Sequence, residues 1–128
     1  MEGQRILIVS SDGSQSGFMV DWLRDAGYET WVADLGEHAI DAIQKEIPNL
    51  VILDWGFLNY NGLQIIQAIR AQEKAAHLPI LVMGTEMREG DILSSLEAGA
   101  DIYLTERLHP KVFVARVRAL LGRRNHRN

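Results

Sequence analysis

The stretch Leu50–Gly62 reads LVILDWGFLNYNG. Its apolar run, Leu50–Leu53, has no polar break and then stops on a carboxylate, Asp54. A short run of this kind, bounded by turn residues, is the pattern of a strand covered on both faces, as strands of a parallel sheet are. A charge at the mouth of such a strand calls for a purpose. Asp54 is a phosphate acceptor, a metal ligand, or a remnant of either.

Outward from this strand the chain alternates regularly. Before it, Ile6–Val9 forms another apolar run, and the polar stretch SSDGSQSG follows. Phe18, Met19, Trp22, Leu23 and Ala26 then recur at helical spacing, and Gly27 stands where a helix C-cap glycine would. YETWVA alternates and carries β-formers, which predicts a strand. Ala39, Ile40, Ile43 and Ile47 stripe a second helix that must end before Pro48. After the central strand, Leu63, Ile66 and Ile69 mark a third helix, and Ile80–Met83 is a strand behind Pro79. Ile92, Leu93 and Leu96 mark a fourth helix closed by Gly99. Ile102–Leu104 is a short fifth strand, and Phe113, Val117, Leu120 and Leu121 make a last helix. Strands and helices in strict alternation, joined by short connections, predict an α/β fold. The expected form is a three-layer, doubly wound (βα)5 flavodoxin-like domain with parallel sheet order 2-1-3-4-5.

Composition sets the outer limits. The chain has 128 residues, 47% of them apolar, enough for one domain with a proper core. Its formal net charge of -4 argues against broad nucleic-acid binding by this domain. There are no cysteines, hence no disulfide frame and no thiolate chemistry. No apolar run approaches membrane-spanning length, and MEGQR opens no signal-peptide pattern, so a soluble, cytoplasmic protein without membrane contact is expected. Residues 1–122 read as the domain and 123–128 as a basic tail or the start of a linker. The histidines His38, His77, His109 and His126 are scattered and suggest no metal cluster.

In doubly wound folds ligands sit beyond the carboxyl ends of the strands, at the switch between strands one and three. The sequence delivers Ser10, Ser11 and Asp12 there from strand one, and Asp54 with Trp55 and Gly56 from strand three. Strand four delivers Gly84 and Thr85, and strand five Thr105, Glu106 and Arg107.

The segments RILIVSSDG, AGYETWVAD, IPNLVILDWG, NGLQIIQAIR, LPILVMGT, LEAGADIYLTE and VFVARVRALLGRR, in this order, resemble the receiver domain of bacterial two-component response regulators from about Arg5 to Arg124. The resemblance implies that Asp54 stands at the phospho-acceptor position, phosphorylated in the family by a histidine kinase within a phosphorelay. It implies an aspartyl phosphate formed with Mg²⁺ as cofactor, and no enzymatic activity beyond autophosphotransfer. Transfer to a carboxylate brings anions together, so catalysis rests on positioning and charge neutralisation. The family holds Mg²⁺ with an acidic pair after strand one, the acceptor Asp and a backbone carbonyl two residues on. A Thr or Ser after strand four and a Lys after strand five hold the phosphoryl oxygens.

This chain departs from that pattern. The acidic pair aligns with Ser10 and Ser11, whose hydroxyls are neutral ligands. Asp12 lies one place beyond the pair. The Thr/Ser position is Gly84, and Thr85, one residue late on a strand, is expected to face the other way. The Lys position is Glu106, a reversal of charge. A weak Mg²⁺ site would have to be built from Asp12, Asp54 and the carbonyl of Gly56. Tyr103 stands at the aromatic switch position, so Thr85, Tyr103 and Glu106 are the switch candidates.

The last helix looks most like that of receivers preceding winged-helix DNA-binding domains. In these the fourth helix, fifth strand and fifth helix form a two-fold dimer face. Glu97, Asp101, Arg116 and Arg118 match residues of that face, and Ile92 and Val112 replace what is usually a charged pair. An apolar contact at that point needs no phosphate to form.

Three readings follow. An atypical receiver, or pseudo-receiver, would serve as a dimerisation or protein-interaction module of two-component signal transduction, meeting a histidine kinase or a downstream output protein. A phosphoryl-accepting receiver would use a weak Mg²⁺ site. A flavodoxin-like binder of small ligands would use SSDGSQSG as a phosphate loop.

Overall fold

The computed structural model describes residues 4–10, 13–33, 36–54, 62–84, 88–105 and 108–126. In chain order these form β1 (Arg5–Val9), α1 (Gly13–Asp25), β2 (Glu29–Ala33), α2 (Gly36–Lys45), β3 (Leu50–Asp54), α3 (Gly62–Ala71), a 3-10 turn (Glu73–Ala75), β4 (Ile80–Gly84), α4 (Glu89–Ala98), β5 (Ile102–Thr105) and α5 (Pro110–His126). The strands make one parallel sheet in the order β2-β1-β3-β4-β5, as the alternation predicts.

Period-two geometry divides each strand between two cores. Leu7 and Val9, Val51 and Leu53, and Ile80 and Val82 face a layer closed by Ala39 and Ile43 of α2 and Ile65, Ile66 and Ile69 of α3. Ile6 and Ile8, Leu50 and Ile52, and Leu81 and Met83 face the other layer, closed by Met19 and Leu23 of α1 and by Phe113, Val117 and Leu120 of α5. This second layer is extended by aromatic stacking. Phe18 and Trp22 lie with ring centroids 4.7 Å apart, and Trp22 meets Phe113 at 5.6 Å. Every residue of β3 and β4 is buried, which is why these strands read as unbroken apolar runs. The edge strand β2 buries only Thr30 and Ala33 and leaves Trp31 and Val32 open to solvent.

Two helices end at glycines with positive φ. Gly27 (φ 98°) follows α1, where the Tyr28 amide turns back to the Leu23 carbonyl at 3.0 Å. Gly99 (φ 126°) follows α4, where the Ala100 amide reaches the Ser95 carbonyl at 3.0 Å.

Three features add to the sequence reading. The turn at Glu73–Ala75 was not foreseen; it buries Ala75 beside Leu78 before β4 begins. The backbone of α5 is helical to His126. The α4 helix is where predicted, and its apolar residues are turned mostly outward. Ser95 is its buried residue, whereas Leu93 is 57% and Leu96 40% exposed.

Candidate functional site

The alternation that fills the α1/α5 core also builds the site. Ile6, Ile8 and Ser10 share one face of the β1 segment, and Leu50, Ile52 and Asp54 share the same face of β3. Val9 pairs with Leu53, so the next step along both strands sets Ser10 beside Asp54. Both side chains are sealed from solvent, at 1% and 0% exposure. The Ser10 hydroxyl donates to Oδ2 of Asp54 at 3.2 Å, and the Ser10 amide is held by the Ala33 carbonyl at 3.0 Å. Ser10 is therefore a buried partner of the carboxylate.

This arrangement has chemical consequences. A carboxylate at the Ser10 position would repel Asp54 and need a cation between the two. A hydroxyl there does the opposite: it stabilises the Asp54 anion by donation and spends its proton on it. Mg²⁺ wants a near-octahedral shell of hard oxygens and at least one or two carboxylates. At the ends of β1 and β3 the described residues offer one carboxylate and one hydroxyl, already bonded to each other. Among the described residues no three acidic or histidine side chains are grouped to hold a metal. Those two donors alone do not complete such a shell.

On the opposite face of the sheet, β4 ends at Gly84, which pairs with Thr105 of β5. Tyr103 leans against the α2/α3 core, and its hydroxyl donates to the Gly84 carbonyl at 3.3 Å. The position read as Thr/Ser thus contributes a backbone oxygen to Tyr103 and no side chain to the strand ends. Ser11, Asp12, Gly56, Thr85 and Glu106, expected at the site from the sequence, lie outside the described residues.

The residues read as a dimer face are spread over α4, β5 and α5. Glu97, Arg116 and Arg118 are exposed and Ile92 is half-buried; Val112 is 42% exposed. Asp101 precedes β5 at the end of the sheet opposite Asp54, and its carboxylate is engaged within the chain by Arg70 and the Ile80 amide. Sequence reasoning missed Arg70, which stands at the end of α3 and bonds Asp101 and the Gly99 carbonyl.

The chain matches the family model described as response regulator receiver domain over residues 6–118. It is 37% identical over 120 residues to the DNA-binding response regulator MtrA of Mycolicibacterium paratuberculosis, covering 94% of this chain and 52% of that protein. It is 31% identical over 123 residues to the phosphate regulon transcriptional regulatory protein PhoB of Pseudomonas aeruginosa, covering 96% and 54%. The chain thus spans about half the length of these curated relatives. A crystal structure of a putative response regulator from Chloroflexus aurantiacus superposes with a TM-score of 0.87 at 30% identity, covering 94% of this chain and 99% of that one.

Proposed function

This chain belongs to the response regulator receiver family, and from that premise we propose that it is an atypical receiver of two-component signalling. In this reading it works as a protein-interaction module whose contacts do not depend on phosphorylation. The observation that carries the reading is the Ser10–Asp54 hydrogen bond inside a sealed strand end. The residue that would hold a cation beside the acceptor instead neutralises the need for one. The sequence adds Ser11, Gly84 and Glu106 at the other supporting positions. The sequence has an acid, Glu106, where the family has a lysine, and transfer without fixed positive charge is slow.

The partners in this reading are proteins: a histidine kinase, a downstream output protein, and a second copy of the chain. Self-association would use the α4–β5–α5 face, where Leu93, Leu96 and Val112 are exposed. The relatives are named as DNA-binding regulators, and nucleic-acid contact is assigned here to parts of such proteins outside the receiver. No described helix is long and apolar enough to cross a membrane.

The test is a titration with Mg²⁺, with and without beryllofluoride as a phosphoryl mimic, followed by amide resonances. The reading predicts no saturable shifts at Asp54 or Tyr103. Saturable shifts that vanish in Asp54→Asn would instead identify a phosphoryl-accepting receiver with a weak Mg²⁺ site.

A further inference from the structure

Among the described residues β2 is an edge strand, paired only with β1. The Glu29 amide donates to the Gln4 carbonyl at 3.1 Å, and the Ala33 carbonyl accepts the Ser10 amide at 3.0 Å. Backbone groups alternate in direction along a strand, so those of Glu29, Trp31 and Ala33 face β1, and those of Thr30 and Val32 face outward. The Thr30 carbonyl agrees with this, since it accepts a bond from Nη2 of Arg24 on α1 at 3.0 Å. The amide and carbonyl of Val32 stand at the open edge. Edge strands are usually blunted by proline, a bulge or charged side chains, whereas the centre of this one is Trp31 followed by Val32.

Side chains alternate as well, and they expose apolar surface on both faces. Trp31 is 37% exposed and pairs in register with Leu7, on the face covered by α2 and α3. Val32 is 40% exposed and pairs with Ile8, on the face covered by α1 and α5. A partner lying on one face covers only one of them. A strand laid along the edge covers both, because its own side chains alternate in the same way. On the Trp31 face a cavity of about 190 Å³ opens between Trp31, Leu7, Ala42 and Pro48. That is room for one side chain, below the roughly 300–1,000 Å³ of small-molecule sites. Trp31 is held in place as its wall. The Arg5 guanidinium lies 5.5 Å from the ring centroid and is itself bound by Glu46 and the Ile47 carbonyl. Two exposed cations flank the edge: Arg24, and Lys45 at the rim of the cavity. Neither forms an ion pair with a described residue.

We propose that the open edge of β2 docks an extended segment of a partner protein, added to the sheet as a further strand. The segment carries two consecutive apolar residues, one for the cavity beside Trp31 and one to cover Val32, with a carboxylate close by. The carboxylate answers Arg24 and Lys45. Pairing along the whole edge also draws Arg24 off the Thr30 carbonyl, which frees its charge for the partner. A second copy of the chain is a poorer match, because its β2 brings the same two cations to the seam. The proposal rests on the protein-interaction reading above and gives it a surface at the edge of the sheet opposite β5.

A display library of short random peptides, selected on the immobilised full chain without Mg²⁺ or phosphoryl donor, tests this. Recovered peptides are titrated into wild type, Val32→Pro, Trp31→Ser and Lys45→Glu, each checked for folding by circular dichroism. The Val32 amide points away from β1, so Val32→Pro removes an edge donor and leaves the β1–β2 pairing in place. Trp31→Ser removes the cavity wall and serves where the proline variant fails to fold. The expected peptides carry adjacent apolar residues beside an acid. They bind Val32→Pro and Trp31→Ser at least about tenfold more weakly than wild type, and Lys45→Glu more weakly as well. Peptides that bind every variant as tightly as wild type overturn the proposal, and so does a selection that enriches none. A chain that dimerises in sedimentation and loses the dimer in Val32→Pro overturns it in favour of a second copy. Each of these failures leaves the atypical-receiver reading to the Mg²⁺ titration at Asp54, so the two can be told apart.

Discussion

Ser10 and Asp54 decide what this domain does with charge. Two buried side chains share a hydrogen bond of 3.2 Å where the family resemblance leads one to expect two carboxylates and a metal. The identity of residue 10 was legible in the sequence, and so was its mismatch with the pattern. What was not legible was that its hydroxyl turns onto Asp54, because a serine before a helix is more often an N-cap. The contact follows from period-two alternation of β1 and β3 and from their register, which a single sequence does not print. Ser10→Asp should reverse the local electrostatics. It sets a second carboxylate against Asp54, so its melting temperature should fall in chelator and recover on adding Mg²⁺. The wild-type chain should melt at the same temperature with and without the ion. Thermal melts of both proteins in EDTA and in Mg²⁺ check this; a wild type stabilised by Mg²⁺ contradicts it.

Elements were easier to read than the faces they present. β3 and β4 are buried along their whole length and announce themselves as apolar runs. The stripe of α5 likewise delivers Phe113, Val117 and Leu120 to the core as predicted. α4 shows the limit of the method. Ile92, Leu93 and Leu96 fit a helix, but periodicity alone does not say whether an apolar stripe meets the sheet or another chain. Here the stripe is turned largely outward and Ser95 goes in. The two helix-ending glycines separate local from tertiary demands. Gly27 and Gly99 both hold positive φ, so alanine at either costs about 1–3 kcal/mol in backbone strain. Around Gly27 there is room for a methyl group, whereas a Cβ on Gly99 would lie 2.9 Å from Cγ and Nε of Arg70. Gly99→Ala should therefore be the more destabilising of the two in urea denaturation, because it also displaces the arginine clamp. Equal losses would mean that Arg70 swings aside freely.

Across the whole molecule, the frame is that of a receiver. The strand order, the two cores and the length of the match place the chain among receivers. The chemistry at the strand mouths depends on a few side chains beyond the strands, which hydrophobic patterning does not report. That is why fold and family were legible in the sequence while the working state of the site was not. The central claim concerns the whole chain: this receiver does its work without a phosphoryl group on Asp54. The most direct measurement is the intact mass of the chain after incubation with acetyl phosphate and Mg²⁺, beside an Asp54→Asn control and a phosphorylatable receiver. The account predicts an unchanged mass while the reference receiver gains its phosphoryl adduct. An adduct on the wild-type chain that is absent from Asp54→Asn would contradict it.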